Sequence, residues 1–207
     1  MSVSKETNTY RQQLRVCIME TALKKFTQYG IRAVKMDDIA SELSISKRTL
    51  YEIFKDKEEV LYESINIYNK RRWQYMAEYV SHGKHNVIDI IMEFYRMKIN
   101  EVRSVNPVFY TDIVKYPTLV QLIKDNKERA RVEYLTFMQR GVREGFLRPD
   151  VNYEMIPHMM DAMGLYIVNS KLLDNYTFEE LFSNYFLVSL RGLCTKAGLK
   201  VIEETVI

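Results

Sequence analysis

Along the first quarter of the chain, apolar residues recur at three- and four-residue spacing. Ile18, Ala22, Phe26 and Tyr29 share one side of a helix from Arg15 to Tyr29, and Gly30 stands where a C-terminal cap glycine belongs. After the link "IRAVK", Met36, Ile39, Ala40 and Leu43 mark a second, short helix, with Asp37 and Asp38 in the first turn where the dipole favours negative charge. Ser46 offers an N-cap hydroxyl to a third helix, equally short, whose buried side is Leu50, Ile53 and Phe54. Asp56 caps a fourth, with Glu58 and Glu59 in its first turn and Val60, Leu61, Ile65, Ile67 and Tyr68 running on toward Trp73 and Val80.

The same periodicity predicts further helices at Asn86–Val105, Pro107–Tyr116, Thr118–Glu144, Asn152–Leu173 and Phe178–Leu199. The breaks between them are polar or carry Pro and Gly, as in "SHGKHN", "SVNP", "KYP" and "GFLRPDVN". Neither an internal repeat nor a low-complexity tract is visible, which argues against a solenoid. The expected fold class is all-α, with three small helices followed by a larger helical body. Residues 1–60 form the first domain and 61–207 the second.

Composition supports this. Among 207 residues, 47% are hydrophobic and 28% charged, while only 7 Gly and 4 Pro occur, too few for a chain of loops and strands. Cys17 and Cys194 lie near opposite ends with no CxxC pair or histidine cluster, so no metal or disulfide is expected. The N-terminus lacks an apolar signal region, and no apolar run is long enough to span a membrane. These features predict a reduced, cytoplasmic protein. A net charge of +3 does not announce a nucleic-acid binder, so any DNA footprint must come from local placement.

That placement is found in "LSISKRTLYEIFKDKEEVL", residues Leu43–Leu61. Two short helices joined by a tight link have the organisation of a helix-turn-helix, whose second helix meets base edges near its N-terminal end. With Leu50, Ile53 and Phe54 turned inward, Ser46, Lys47, Arg48 and Thr49 stand at that end. Lys47 and Arg48 carry donors for guanine or phosphate, Thr49 suits a base edge, and Tyr51 offers a phenol to phosphate. For Glu52, an ion pair within the protein is favoured over contact with a base. Lys35 and Lys57 sit at helix N-termini, where backbone N–H groups already favour a phosphate.

The run "ETALKKFTQYGIRAVKMDDIASELSISKRTLYEIFKDKEEVL" resembles the N-terminal domain of the TetR family of bacterial transcriptional repressors. The elements that carry the likeness are Ala22, Phe26, Gly30, Ile39-Ala40, Ser46, Leu50-Tyr51, Phe54 and Lys57-Glu58, in order and without gaps. The resemblance implies a homodimer whose paired recognition helices enter successive major grooves of double-stranded DNA and whose helical body binds a small-molecule effector. Two positions depart from the family pattern: Ser44 replaces the usual glycine of the turn, and Lys35 replaces the hydroxyl residue that usually caps the second helix.

Elsewhere the sequence carries no phosphate-binding glycine loop, HExxH or GxSxG motif, so enzyme chemistry and a cofactor have no foothold. Glu154 and His158 share a spacing but lack a third metal ligand. Effector-pocket candidates are the aromatic, methionine and histidine side chains Phe94, Met97, Phe109, Tyr110, Tyr134, Phe137, Met138, His158, Met159 and Met163; taken singly, an aromatic or methionine side chain of this body is more often plain core, and only some of the set are expected to line a pocket. The last two helices carry more apolar surface than one subunit covers, which points to homodimerisation there. The competing reading is a helical protein-interaction module without specific DNA binding.

Overall fold

The computed structural model describes residues 2–170 and 172–206, and among these it forms ten α-helices and no named strand. They are α1 (Ser2–Tyr29), α2 (Met36–Glu42), α3 (Lys47–Ile53), α4 (Lys57–Ser81), α5 (Val87–Ser104), α6 (Pro107–Ile113), α7 (Pro117–Arg143), α8 (Met155–Asn169), α9 (Phe178–Leu193) and α10 (Lys196–Val206), with a short 3₁₀ turn at Leu172–Asp174. The fold is therefore all-α. Two compact units divide the chain: Met1–Trp73 with Val105–Gln121, and Gln74–Ser104 with Leu122–Ile207.

The first unit is built around α1. Ile18, Ala22 and Phe26 are fully buried, as are Ile31, Ile39, Leu50, Val60 and Leu61. Fully burying a side chain the size of Leu or Phe contributes about 1.5–3 kcal/mol, so this apolar set is what holds three short helices together. The buried Ser64 hydroxyl lies 2.6 Å from the Val60 carbonyl and 3.0 Å from that of Met19, joining α4 to α1 without leaving a polar group unpaired. α1 begins well before Arg15, although residues 2–14 present no apolar stripe for a periodicity reading to follow.

α6 is bolted to the last turn of α1 and to the link that follows it. The Asn106 N–H donates to Thr27 O at 2.8 Å, and the Asn106 amide donates to Gln28 O at 3.2 Å. The Asp112 carboxylate, 2% exposed as a residue, accepts from the Arg32 N–H at 3.0 Å and from Lys115 Nζ at 3.1 Å. Gly30 supplies the positive φ of 85° that ends α1, and a Cβ there would meet Val108 of α6 at 2.7 Å.

The second unit packs around Val87, Ile88 and Met92 of α5, Met138 of α7, Leu147, Tyr153, Leu190, Cys194 and Ile202. Asn86 caps α5 by accepting from the N–H groups of Ile88 (2.8 Å) and Asp89 (3.0 Å). The expected helix Phe178–Leu199 is two helices. Cys194 is extended (φ −86°, ψ 149°) and bridges to Leu147, the Thr195 N–H donates to Phe146 O at 3.0 Å, and the Thr195 hydroxyl accepts from the Gly198 N–H at 3.3 Å. Apolar spacing runs through this break, so the hydroxyl cap was its one signal. The expected Asn152–Leu173 helix is also shorter, ending at Asn169; Lys171 lies outside the described residues.

Burial raises the Asp112 carboxyl's pKa, but the Arg32 N–H and the Lys115 ammonium outweigh it and hold it below the usual range. A depressed carboxylate contributes stability that is present above its unfolded pKa of about 3.9 and lost as pH falls through the folded value. Asp112→Asn should therefore cost about 1–2 kcal/mol at neutral pH. Thermal melts should show the gap from the unaltered protein closing below about pH 4.

Candidate nucleic-acid interface

α2, a tight turn and α3 form a helix-turn-helix, and the turn is made by the backbone. The Ser44 N–H donates to Ser41 O at 3.1 Å and the Ile45 N–H to Ala40 O at 3.0 Å, the paired bonds of a Schellman ending. Such an ending places its first residue beyond the helix in the left-handed region, and Ser44 has φ 52°. The departure noted in the sequence thus falls where a side chain is strained.

α3 is seven residues long and is fixed on every side but one. At its start the Ser46 hydroxyl accepts from the Thr49 N–H at 3.0 Å, and the two hydroxyls are 2.8 Å apart. Leu50 is fully buried beneath it. At its end, Arg11 donates to Glu52 O at 2.6 Å and Arg15 to Ile53 O at 3.0 Å, while the Arg15 guanidinium lies 4.3 Å above the Phe54 ring. Cations on the last carbonyls of a helix also complement its dipole. Arg11 and Arg15 are functional neighbours that sequence spacing missed, being about forty positions away from their partners.

What remains outward is basic. Arg48 has an 89% exposed side chain, with Nε 2.9 Å from Glu52 Oε1. Lys47 Nζ is 2.5 Å from Asp37 of α2. Hydrogen bonding to these carboxylates raises the pKa of both cations, keeping them charged. Tyr51 is 51% exposed. The Glu52 ion pair within the protein is present, as expected.

Lys35 and Lys57 differ from this outward set. Lys35 is exposed at the N-cap of α2, its side chain makes no cap bond, and its N–H donates to the Asp38 carboxylate at 2.7 Å. Lys57 is half-buried, and its ammonium donates to Ile31 O and Val34 O, both at 3.0 Å. Burial lowers its pKa, opposed by the charge of Asp112. Two of its three N–H groups therefore serve the loop before α2.

The second unit carries two apolar concavities. One, of about 330 Å³, is lined by Met163, Ile167, Leu172, Tyr176, Glu180, Leu181, Asn184 and Tyr185. The other, of about 240 Å³, is lined by Ile156, Met159, Met160, Tyr185, Val188, Ser189, Gly192 and Leu193. Of the sequence-selected pocket residues, Met163 and Met159 line these. Met138 is in the core, with Tyr134 and Phe137 packed on it; His158 is exposed; Phe94 and Met97 are half-buried on α5; Phe109 and Tyr110 belong to the first unit. The buried Tyr134 hydroxyl has no hydrogen-bond partner among the described residues, and burial pushes its pKa up to about 12. Met155, Met159, Leu165 and Tyr166 on α8 and Val188 on α9 are more than half exposed. Among the described residues, no cluster of three or more His, Cys, Asp or Glu could hold a metal, and no helix is long and apolar enough to cross a membrane.

Residues 18–63 match the sequence model described as bacterial regulatory proteins, tetR family. The HTH-type transcriptional regulator YhgD of Bacillus subtilis is 27% identical over 139 residues, 64% of this chain and 71% of that protein. The HTH-type transcriptional repressor KstR2 of Mycobacterium tuberculosis is 23% identical over 205 residues, 95% of this chain and 98% of that protein. A solved structure described as the ketosteroid transcriptional regulator KstR2 of the same organism superposes with a TM-score of 0.58 at 20% identity, over 88% of this chain and 95% of that one. A TetR-family regulator from Agrobacterium tumefaciens gives 0.71 at 12% identity, over 89% and 100%. At these identities the solved structures show the shared fold.

Ser44→Gly should relieve left-handed strain of roughly 1–2 kcal/mol while adding some unfolded-state entropy, for a net stabilisation of about 0.5–1 kcal/mol. Denaturant midpoints of the two proteins check this: the variant should unfold at the higher concentration with an unchanged slope.

Proposed function

The chain belongs to the TetR family of bacterial transcriptional regulators, and on that premise we propose that it is a repressor released from a pseudo-palindromic operator by a small molecule. The observation that carries the reading is the outward face of α3. Lys47, Arg48 and Tyr51 project from a helix fixed at both ends and along its buried side. Lys47 and Arg48 serve base edges, while Tyr51 and Lys35 serve phosphate; Ser46 and Thr49 hold the helix start and lie at the same end. Lys57 supports the loop before α2 and offers its third N–H to the backbone.

DNA reading is assigned to residues 1–60, and sensing and pairing to 61–207. Two copies pair through the exposed apolar face of α8 and α9, placing half-sites about one helical turn, 34–36 Å, apart or at a wider spacing. The larger concavity, at about 330 Å³, is within the range of small-ligand sites. Its mostly apolar lining, with Asn184 and Glu180 as polar tips, suits an apolar effector bearing one or two polar groups. The ligand loosens DNA binding by its differential affinity for two conformations, and α4 carries the change. The protein acts on DNA in the cytoplasm and needs no cofactor.

Selection of bound duplexes from random DNA should return a two-fold site. On that site Arg48→Ala should weaken binding roughly tenfold or more, and by much less on random duplex. Failure of the native protein to retain any duplex would instead favour the protein-interaction reading. Pairing has its own check: Val188→Glu, which puts a charge on the α8–α9 face, should shift the light-scattering mass from two chains to one.

A further inference from the structure

Glu52 is badly placed for stability. It occupies the last turn of α3 (Lys47–Ile53), where the dipole disfavours a carboxylate, and it follows its partner Arg48 by four residues, the weaker order for such a pair. Its main chain is nevertheless anchored, because its carbonyl accepts from Arg11 at 2.6 Å. A residue that breaks a local rule on a fixed backbone is a candidate for function.

The geometry points to Glu52 as a positioning residue that aims Arg48 at a guanine and keeps it from phosphates; this rests on the DNA-binding reading above. Arg48 gives only its Nε to Glu52, at 2.9 Å. That leaves its two terminal NH₂ groups unused by Glu52, on a side chain that is 89% exposed. They are the fork that pairs end-on with guanine O6 and N7, so Arg48 can read a guanine without leaving Glu52. A swing to the phosphate backbone demands the opposite. It breaks the Nε bond and leaves a bare carboxylate beside a polyanion, which takes up a cation and cancels part of the counterion release. Glu52 therefore costs little on the operator and more on random DNA, so its effect is on selectivity.

Fluorescence anisotropy over a salt series tests this with the full-length protein, on the selected operator, on the operator with its contacted guanine replaced, and on random duplex. Glu52→Ala should bind random duplex more tightly, steepen its salt slope by about 0.9, and lower the operator-to-random ratio about tenfold. Glu52→Gln, whose amide oxygen still accepts from Nε, should keep more of the guanine preference while sharing the tighter random binding. In an Arg48→Ala background, Glu52→Ala should leave the operator preference unchanged. The proposal is overturned if Glu52→Ala melts like the native protein yet weakens both duplexes equally with an unchanged salt slope, or acts equally without Arg48. Native protein that binds none of the duplexes overturns the DNA-binding reading and this proposal with it. Native binding that depends on Arg48 but ignores Glu52 overturns this proposal alone.

Discussion

A helix of seven residues cannot hold itself. Nucleation is unfavourable, and so short a segment closes too few backbone bonds to repay it. α3 exists because other parts of the chain satisfy its ends and bury its side. The Ser46 hydroxyl takes a free N–H at the start, Leu50 enters the core, and Arg11 and Arg15 take free carbonyls at the finish. The first unit is arranged around that requirement. α1 supplies both arginines and the apolar wall, the strained Ser44 sets the angle between α2 and α3, and Lys57 ties down the loop before α2.

The same requirement governs charge. A short helix with capped ends has few positions left for recognition, and here they are filled by cations already matched to carboxylates: Lys47 with Asp37, Arg48 with Glu52. Exposed pairs of this kind add little stability. Their geometric effect is to orient long side chains. A net charge of only +3 is consistent with basic side chains that are largely matched by carboxylates along the chain, these two pairs included.

Legibility in the sequence followed the range of the interactions. Ser46, Asp56 and Gly30 act on residues three or four positions away, so the end of α1 and the starts of α3 and α4 could be read from spacing and caps. Even the left-handed Ser44 was visible as a departure from a familiar pattern. Arg11 and Arg15 were not, because their partners are 41 and 38 residues away and no periodicity marks them. The break at Cys194 escaped for a related reason. It is enforced by backbone pairing with residues near Leu147, while the apolar spacing continues across it. Of the aromatic and methionine candidates, composition could name the set but not divide it, since Met138 in the core and Met163 beside a concavity have the same chemistry.

Within the second unit, Tyr185 lines both apolar concavities. The smaller one is bounded by Met159 and Val188, whose exposed side chains belong to the face assigned to pairing, and the larger is the one assigned to the effector. On that assignment one side chain borders both events. An effector that reorients Tyr185 alters the surface offered to a second copy, and pairing restricts the positions open to Tyr185 when an effector arrives. Because coupling between binding events is reciprocal, the factor by which effector changes pairing equals the factor by which pairing changes effector affinity. On that assignment the pairing face is part of the sensor.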